Sequence, residues 1–346
     1  MQSFYFYHYH LDKVSRSFSL CISQLTSPAK EWVALSYLLL RVVDTIEDLN
    51  WSHESTQYDA FKHLKLFLIT APSKQQFSDW LDLFPELIPL SEKNLILDLP
   101  LLLHDKNQLP DKIKHELTNT IIQMIDGMEY FLRHYRIENT VIFPSLVTTN
   151  QYCFFVAGLV GKLLSEIFTS LIPGFKWSPI LLNQSFHFGL FLQKINILKD
   201  HMNDKEEGRH YIASRESLRE SLVINAQHAL EYIKIIPVLE GRSYRLFCAW
   251  SLFIGLASLK WLDKNWQLQQ QKYKITSKET CYLMNQIRQL IDDNQALEQL
   301  FMDYLPEQKR ARECYGQEQQ IPTWFQNIYL DDSESIDWSA LGMTEL

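Results

Sequence analysis

Two short acidic clusters in this chain of 346 residues carry the side chains best suited to chemistry: Asp44-Thr45-Ile46-Glu47-Asp48 and Asp200-His201-Met202-Asn203-Asp204. Positions four apart on a helix share a face, with Cβ atoms about 5–6 Å apart, so each cluster aims two carboxylates at one spot. Such a pair holds a divalent cation, and two pairs suit a diphosphate, whose oxygens complete the coordination of a hard metal ion. Tyr37, Arg41, Asp44 and Asp48 form one stripe, and Gln193, Asn196, Asp200 and Asp204 repeat it. The helix that carries the first stripe is apolar nearly all round, from Trp32 and Val33 through Leu38, Leu39 and Leu40 to Ile46, and is therefore buried. Two acids and an arginine in a core are costly unless paired or metal-bound. A stripe lining a cavity is one reading; an ion-pair network in which Arg41 neutralises Asp44 and Glu47 is the other. One cluster alone would leave these level, and two clusters in matching frames favour the metal site.

The elements that must position these residues are helical. With 46% hydrophobic and 13% aromatic residues the chain buries a substantial core, and only 10 Gly and 12 Pro, long apolar-periodic runs and no βαβ pattern predict a mainly α protein. A first helix is expected over Asp12–Leu25, then Ser27 as N-cap and Pro28 at the first position of the helix bearing Asp44. Prolines 72, 85, 89, 100 and 110 cut the stretch from Asn50 to Pro110 into shorter pieces, read as an outer face. Helices are predicted over Asp111–Tyr135, Gln151–Leu171, Phe186–Asp204 and Ser243–Trp261. Ala157, Gly158 and Gly161 thin one face of the second of these, for a neighbouring helix or for a ligand. Gly208-Arg209 ends the second acidic helix, Arg209 serving either as a cation for the metal-bound anion or as a solvated C-terminal charge. Thr276 and Glu279 form a capping box for a last helix to about Leu305. Beyond it the polar, acidic residues 306–346 read as a loosely held tail, leaving 1–305 as a single helical domain.

Composition excludes several function classes. A net charge of −8 argues against general nucleic-acid binding. Five widely spaced cysteines, Cys21, Cys153, Cys248, Cys281 and Cys314, read as reduced residues rather than a disulfide framework, which points to a reducing, cytoplasmic compartment. The aromatic start, Met1–His10, lacks the basic and apolar regions of a signal peptide. Lys162 and Glu166 interrupt the longest apolar segment, so no membrane span of about 20 residues is expected; a soluble or peripheral protein is.

Five blocks resemble the squalene/phytoene synthase family, and its squalene branch in particular: Ser15-Arg16-Ser17-Phe18, the run from Tyr37 to Asp48, Tyr152 to Gly161, Leu192 to Asp200 with Asp204 and Gly208-Arg209, and Phe247-Cys248-Ala249. They occur in the family's order and cover about Val14 to Met284. The resemblance implies an all-α, single-domain isoprenoid-synthase bundle around a central cavity flanked by the two acidic helices. It implies the head-to-head joining of two farnesyl diphosphates to presqualene diphosphate, and then NADPH-dependent rearrangement and reduction to squalene. Asp44, Asp48, Asp200 and Asp204 would be ligands of Mg²⁺, and Arg16, Arg41, Lys199 and Arg209 would bind diphosphate. Phe18 and Phe247 would shield the allylic cation at the cavity wall. Tyr152 would handle the proton lost on cyclopropane closure; its structural alternative is a buried hydroxyl fixing a helix. Gln193 and Asn196 would contact diphosphate or cofactor, or be satisfied core amides.

Departures from the family pattern fall on the reductive half. Lys199 stands where the squalene branch has arginine, Asn203 where it has glutamate, and Thr276 where it has an arginine for the NADPH phosphate, leaving Lys274 and Lys278 for that role. A rival reading is therefore a synthase that stops at presqualene diphosphate or releases dehydrosqualene. Phytoene synthesis from longer substrates fits the late block less well. A non-catalytic family member acting in assembly is a third possibility, opposed by the four intact aspartates. The lipid character of substrate and product also implies peripheral membrane contact.

Overall fold

Apolar residues at helical spacing shape nearly every element of the computed structural model, which describes residues 1–266, 275–305, 323–329 and 336–343. The chain forms two compact units, 1–129 and 130–346.

In the first unit α1 (Phe4–Val14) and α2 (Arg16–Ser23) precede the long α3 (Ala29–Asp48). The single helix expected over Asp12–Leu25 is two helices, because the backbone at Ser15 is extended (φ −161°, ψ 92°). The aromatic start is itself helical and anchored: the Tyr7 hydroxyl donates to Asp105 at 2.6 Å, and His10 hydrogen-bonds Asp98 at 3.0 Å. Tyr7 and Leu11 are fully buried. Ser27 does not cap α3; its hydroxyl donates instead to Glu31 at 2.8 Å, and Pro28 takes the N-cap position. Shorter helices follow, as the prolines predict: α4 (Glu54–Ile69), α5 (Lys74–Leu81), α6 (Leu90–Leu97) and α7 (Leu99–Lys106). Helix α8 (Asp111–Tyr135) has the bounds expected from its periodicity.

In the second unit, β1 (Arg136–Ile137), β2 (Thr140–Ile142) and β3 (Arg209–His210) form a small sheet, with β2 antiparallel to β1 and parallel to β3. The helix expected over Gln151–Leu171 has three parts: α9 (Leu146–Cys153), a π-helical turn (Phe154–Gly158) and α10 (Leu159–Leu171). Its small residues serve packing, since a Cβ on Gly161 would lie 2.1 Å from the Ser185 carbonyl oxygen. That carbonyl belongs to α11 (Pro179–Glu206), which Ser178 caps by accepting from the Leu181 N–H at 3.1 Å. Next come α12 (Arg215–Ile235), α13 (Arg242–Asn265), α14 (Ser277–Leu290), α15 (Asn294–Tyr304) and α16 (Thr323–Ile328). The Thr276–Glu279 capping box forms as predicted. The last helix nevertheless breaks after Leu290, where Asp293 caps a new helix and the buried Arg245 guanidinium takes the Ile291 carbonyl.

Two helical stretches, Leu146–Leu171 and Arg242–Asn265, are long and apolar enough to cross a membrane by length and composition, contrary to expectation. Most of each is buried inside the protein, as in core helices. Cys21, Cys153 and Cys248 are buried and Cys281 is exposed, all four outside any disulfide; Cys314 lies outside the described residues. The tail is not loosely held where it is described: Phe325, Tyr329, Trp338, Leu341 and Met343 are all buried. Its average polarity conceals a set of spaced aromatic anchors.

Candidate active site

The first acidic pair ends α3. Val42, Val43, Thr45 and Ile46 are buried around it, and Trp51 Nε1 and Gln57 Nε2 both donate to the Ile46 carbonyl, at 2.8 and 2.9 Å. These bonds satisfy a carbonyl that the helix terminus leaves orphaned, and so fix the turn that carries the carboxylates. Acids in the last turn face the negative end of the helix dipole, at a cost of about 0.3–1 kcal/mol each; a bound cation would relieve it. Asp44 keeps 36% of its side chain accessible although protein surrounds it, the setting of a group in a recess. Burial pushes its carboxyl up to about 7, Arg41 opposing and Asp48 reinforcing the shift. Asp48 is exposed.

Arg41 keeps the ion pair with Asp44 considered above and adds a second acidic partner. Its Nη2 donates to Glu92 of α6 at 3.2 Å and its Nη1 lies 4.0 Å from Asp44. Burial alone would lower its pKa, but Asp44, Tyr37, Asp48 and Glu92 together raise it, so the guanidinium stays charged. Its Nε is buried without a hydrogen-bond partner. An arginine with an unused donor beside a charge-starved carboxylate fits an anion and a cation bound together. Tyr37 is held by Ser15, burial raising its pKa, and its ring lies 5.4 Å from that of Phe18. Arg16, first residue of α2, is exposed. The Ser15 break thus places the predicted arginine and phenylalanine in one helical turn against α3.

The second acidic pair ends α11 in the other unit. Gln193, Asn196 and Lys199 are half-buried, Asp200 is exposed and Asp204 half-buried. Gly208, at φ 77°, turns the chain so that Arg209 Nη2 donates to Asp204 at 3.3 Å; Arg209 also pairs with Glu207. Arg209 is therefore neither solvated nor free for an anion alone, and Asp204 is locally neutralised. Between the predicted residues, Lys194 is fully buried and donates to Ser221 and Asn225, both at 2.6 Å. Burial lowers its pKa to about 7. It locks α11 against α12 and thereby sets the rotation of Gln193 and Asn196.

Tyr152, on α9, is buried in an aromatic cluster, stacked on Tyr211 (centroids 5.2 Å, 15°) and edge-on to Phe131 and Phe143. Phe247, on α13, is buried beside Tyr244, with rings 6.0 Å apart. Lys274 lies outside the described residues. Lys278 is exposed and, with Lys260 and Lys264 of α13, borders a cavity of about 440 Å³ whose other walls include Trp261, Tyr282 and Tyr304. Thr276, by contrast, is committed to its cap, its hydroxyl bonded to Glu279. Sequence reasoning missed Glu92, Tyr211, Lys194, Lys260 and Lys264. Lys194, a charged residue set between apolar neighbours in the second acidic helix, was the only local signal among them.

Among the described residues no three His, Cys, Asp or Glu side chains form a metal-holding cluster. Each acidic pair offers two carboxylates, which suits an ion that keeps several positions for water and substrate oxygens.

Comparison with known proteins places the chain in a family and a fold. The model of the squalene/phytoene synthase family matches residues 11–231. Squalene synthase of Dictyostelium discoideum is 28% identical over 303 residues, 80% of this chain and 68% of that protein. That of Rattus norvegicus is 27% identical over 302 residues, covering 80% and 67%. The chain spans only 42% of the Schizosaccharomyces pombe squalene synthase and 66% of the Saccharomyces cerevisiae one. The solved complex of TcSQS with a ligand superposes with a TM-score of 0.69 over 98% of both chains, at 21% identity. A dehydrosqualene synthase superposes at 0.58 over 83% of this chain and 96% of its own, at 17% identity. These likenesses fix the fold as the all-α isoprenoid-synthase type, and since the family model spans well over half of its length, this chain belongs to the squalene/phytoene synthase family.

Proposed function

We propose that the protein is a metal-dependent squalene synthase, condensing two farnesyl diphosphates head to head to presqualene diphosphate and reducing that intermediate with NADPH to squalene. The observation that carries this reading is the Asp44–Arg41 arrangement: a recessed carboxylate 4.0 Å from a guanidinium whose buried Nε has no hydrogen-bond partner among the described residues. The repeat of its register at Asp200 and Asp204 supports the reading. Divalent metal, when bound by these aspartates, supplies the charge neutralisation that makes diphosphate a leaving group. Arg41, Arg16, Lys199 and Arg209 orient the diphosphates, and Gln193 and Asn196 add neutral hydrogen bonds. Phe18 and Phe247 present ring faces to the allylic cation and exclude water. Tyr152 handles the proton lost on ring closure. Residues 1–305 form the catalytic body, and substrate and product bring it into peripheral contact with membranes.

NADPH supplies hydride for the second half-reaction, and the lysines at the α13–α14 cavity, Lys278 with Lys260 and Lys264, suit its phosphates together with Lys274. One observation favours a second reading, a synthase that ends at presqualene diphosphate or dehydrosqualene. Thr276 occupies a helix cap at the position where the squalene branch has a phosphate-binding arginine. Incubation with farnesyl diphosphate and Mg²⁺, with and without NADPH, followed by extraction and product analysis, tests both. Squalene formed only with NADPH supports the first reading, presqualene diphosphate or dehydrosqualene under both conditions the second, and unreacted substrate neither.

A further inference from the structure

The described pieces of the C-terminal segment close over the helix that bears Tyr152. Asn150 Nδ2 donates to the Gly342 carbonyl at 2.8 Å, and Gln151 Nε2 donates to the Met343 carbonyl at 2.9 Å. Asn150 and Gln151 are 1% and 6% exposed, so the two tail carbonyls supply partners that buried amide N–H groups need. On the far side of Tyr152, Phe154 packs against Phe325, Tyr329 and Trp338 at 5.1, 5.2 and 5.4 Å, and Phe155 against Phe325 at 5.0 Å. Asp337 anchors the same stretch to α11, its backbone N–H donating to Asn183 Oδ1 at 2.8 Å.

Phe154 and Phe155 open the π-helical turn. A π turn holds one residue more than an α turn and so shifts the phase of the preceding helix by about 100°. Helix α9 and Tyr152 therefore face Tyr211 and Phe143 only while that turn persists. Such turns are intrinsically rare, and here the tail grips the end of α9 through Asn150 and Gln151 and the first two residues of the turn, Phe154 and Phe155. Gly342 is at φ 66°, and a Cβ there would lie 2.6 Å from Asn150 Nδ2, so the grip requires glycine.

We infer that the C-terminal segment is a positioning clasp: it stabilises the π turn and thereby sets the orientation of Tyr152, with Asn150, Gln151, Trp338 and Gly342 as the positioning residues. The catalytic consequence rests on the role proposed for Tyr152; the structural consequence does not. The test is hydrogen–deuterium exchange and steady-state kinetics on the full chain carrying Gly342→Val, Trp338→Ala or the conservative Trp338→Phe. In the first two, amides of residues 148–158 are expected to exchange about tenfold faster, because the tail's hydrogen bonds and ring contacts to this stretch are lost, while α14 and α15 keep their protection. Turnover of farnesyl diphosphate falls about tenfold in kcat with KM little changed, because misplacement of a reacting group costs rate rather than diphosphate affinity. Trp338→Phe restores both. Wild-type protection of 148–158 in both disruptive variants, or faster exchange with unchanged kcat, overturns the inference. No turnover in the wild type would sink the functional reading instead, and exchange alone would then decide whether the tail holds this helix.

Discussion

The two acidic helices end alike in sequence and differently in charge balance. At the end of α3, Asp44 is surrounded by protein, its nearest cation sits 4.0 Å away and is shared with Glu92, and its pKa is raised to about 7. At the end of α11, Asp200 is exposed and Asp204 is paired with Arg209 five residues on. Asp44 shares its arginine with Glu92 across a longer separation, whereas Asp204 has Arg209 at 3.3 Å. A cation held by the proposed ligands would therefore change Asp44 more than Asp204, which makes Asp44 the handle for testing the proposed metal site.

The largest expected effect abolishes the distinction: Asp44→Asn or Asp200→Asn removes diphosphate release, a loss of about 10³-fold or more if each metal-binding carboxylate contributes some 4 kcal/mol to the transition state. Product assays with circular dichroism to verify folding check this, and wild-type turnover in either variant rules out the assigned ligands. Tyr152→Phe should slow formation of presqualene diphosphate by about 10²-fold, the lower range for a proton-transfer group, with KM little altered; an unchanged rate makes the tyrosine structural. Arg209→Gln frees Asp204 and makes the second pair resemble the first. A loss of about tenfold in kcat/KM is expected, in the range of residues that orient metal ligands, together with a stronger dependence on Mg²⁺ concentration.

The smallest effect is thermodynamic and sharpens the contrast without any substrate. A carboxyl with a folded pKa near 7 and an unfolded one near 3.8 holds more protons folded than unfolded between those values. Stability therefore falls as pH rises from about 4 to 7 and stays reduced above. In metal-free protein Asp44→Asn should gain about 1 kcal/mol over wild type at pH 8, allowing for solvent screening of a partly open side chain, and nothing at pH 4. Asp200→Asn, at the exposed carboxylate of the other pair, is the comparison at the same two pH values. Denaturant melts at the two pH values decide, and equal gains in both variants would remove the asymmetry.

Much of this site is legible from local spacing. The stripe at Tyr37, Arg41, Asp44 and Asp48, the span of α8, and the Thr276–Glu279 cap all follow from helical periodicity and end chemistry, which involve neighbours within a turn or two. The Glu92 partner of Arg41, 51 residues away, carries no such signal, nor does the Tyr211 ring stacked on Tyr152. The extended Ser15 and the π turn at Phe154–Gly158 interrupt sequences whose apolar pattern runs straight through them. The tail misled because polarity averaged over 306–346 hides Phe325, Tyr329 and Trp338, whose burial depends on where they land.

The sequence by itself determined that the chain is helical, that two carboxylate pairs share helix faces, and that the blocks around them resemble one enzyme family, because periodicity and spacing are properties of consecutive residues. Only the tertiary structure decided which aspartate is short of charge, which arginine is already spoken for, and what holds Tyr152 in place. Desolvation and ion pairing depend on everything packed around a group, and those neighbours come from elements far away along the chain.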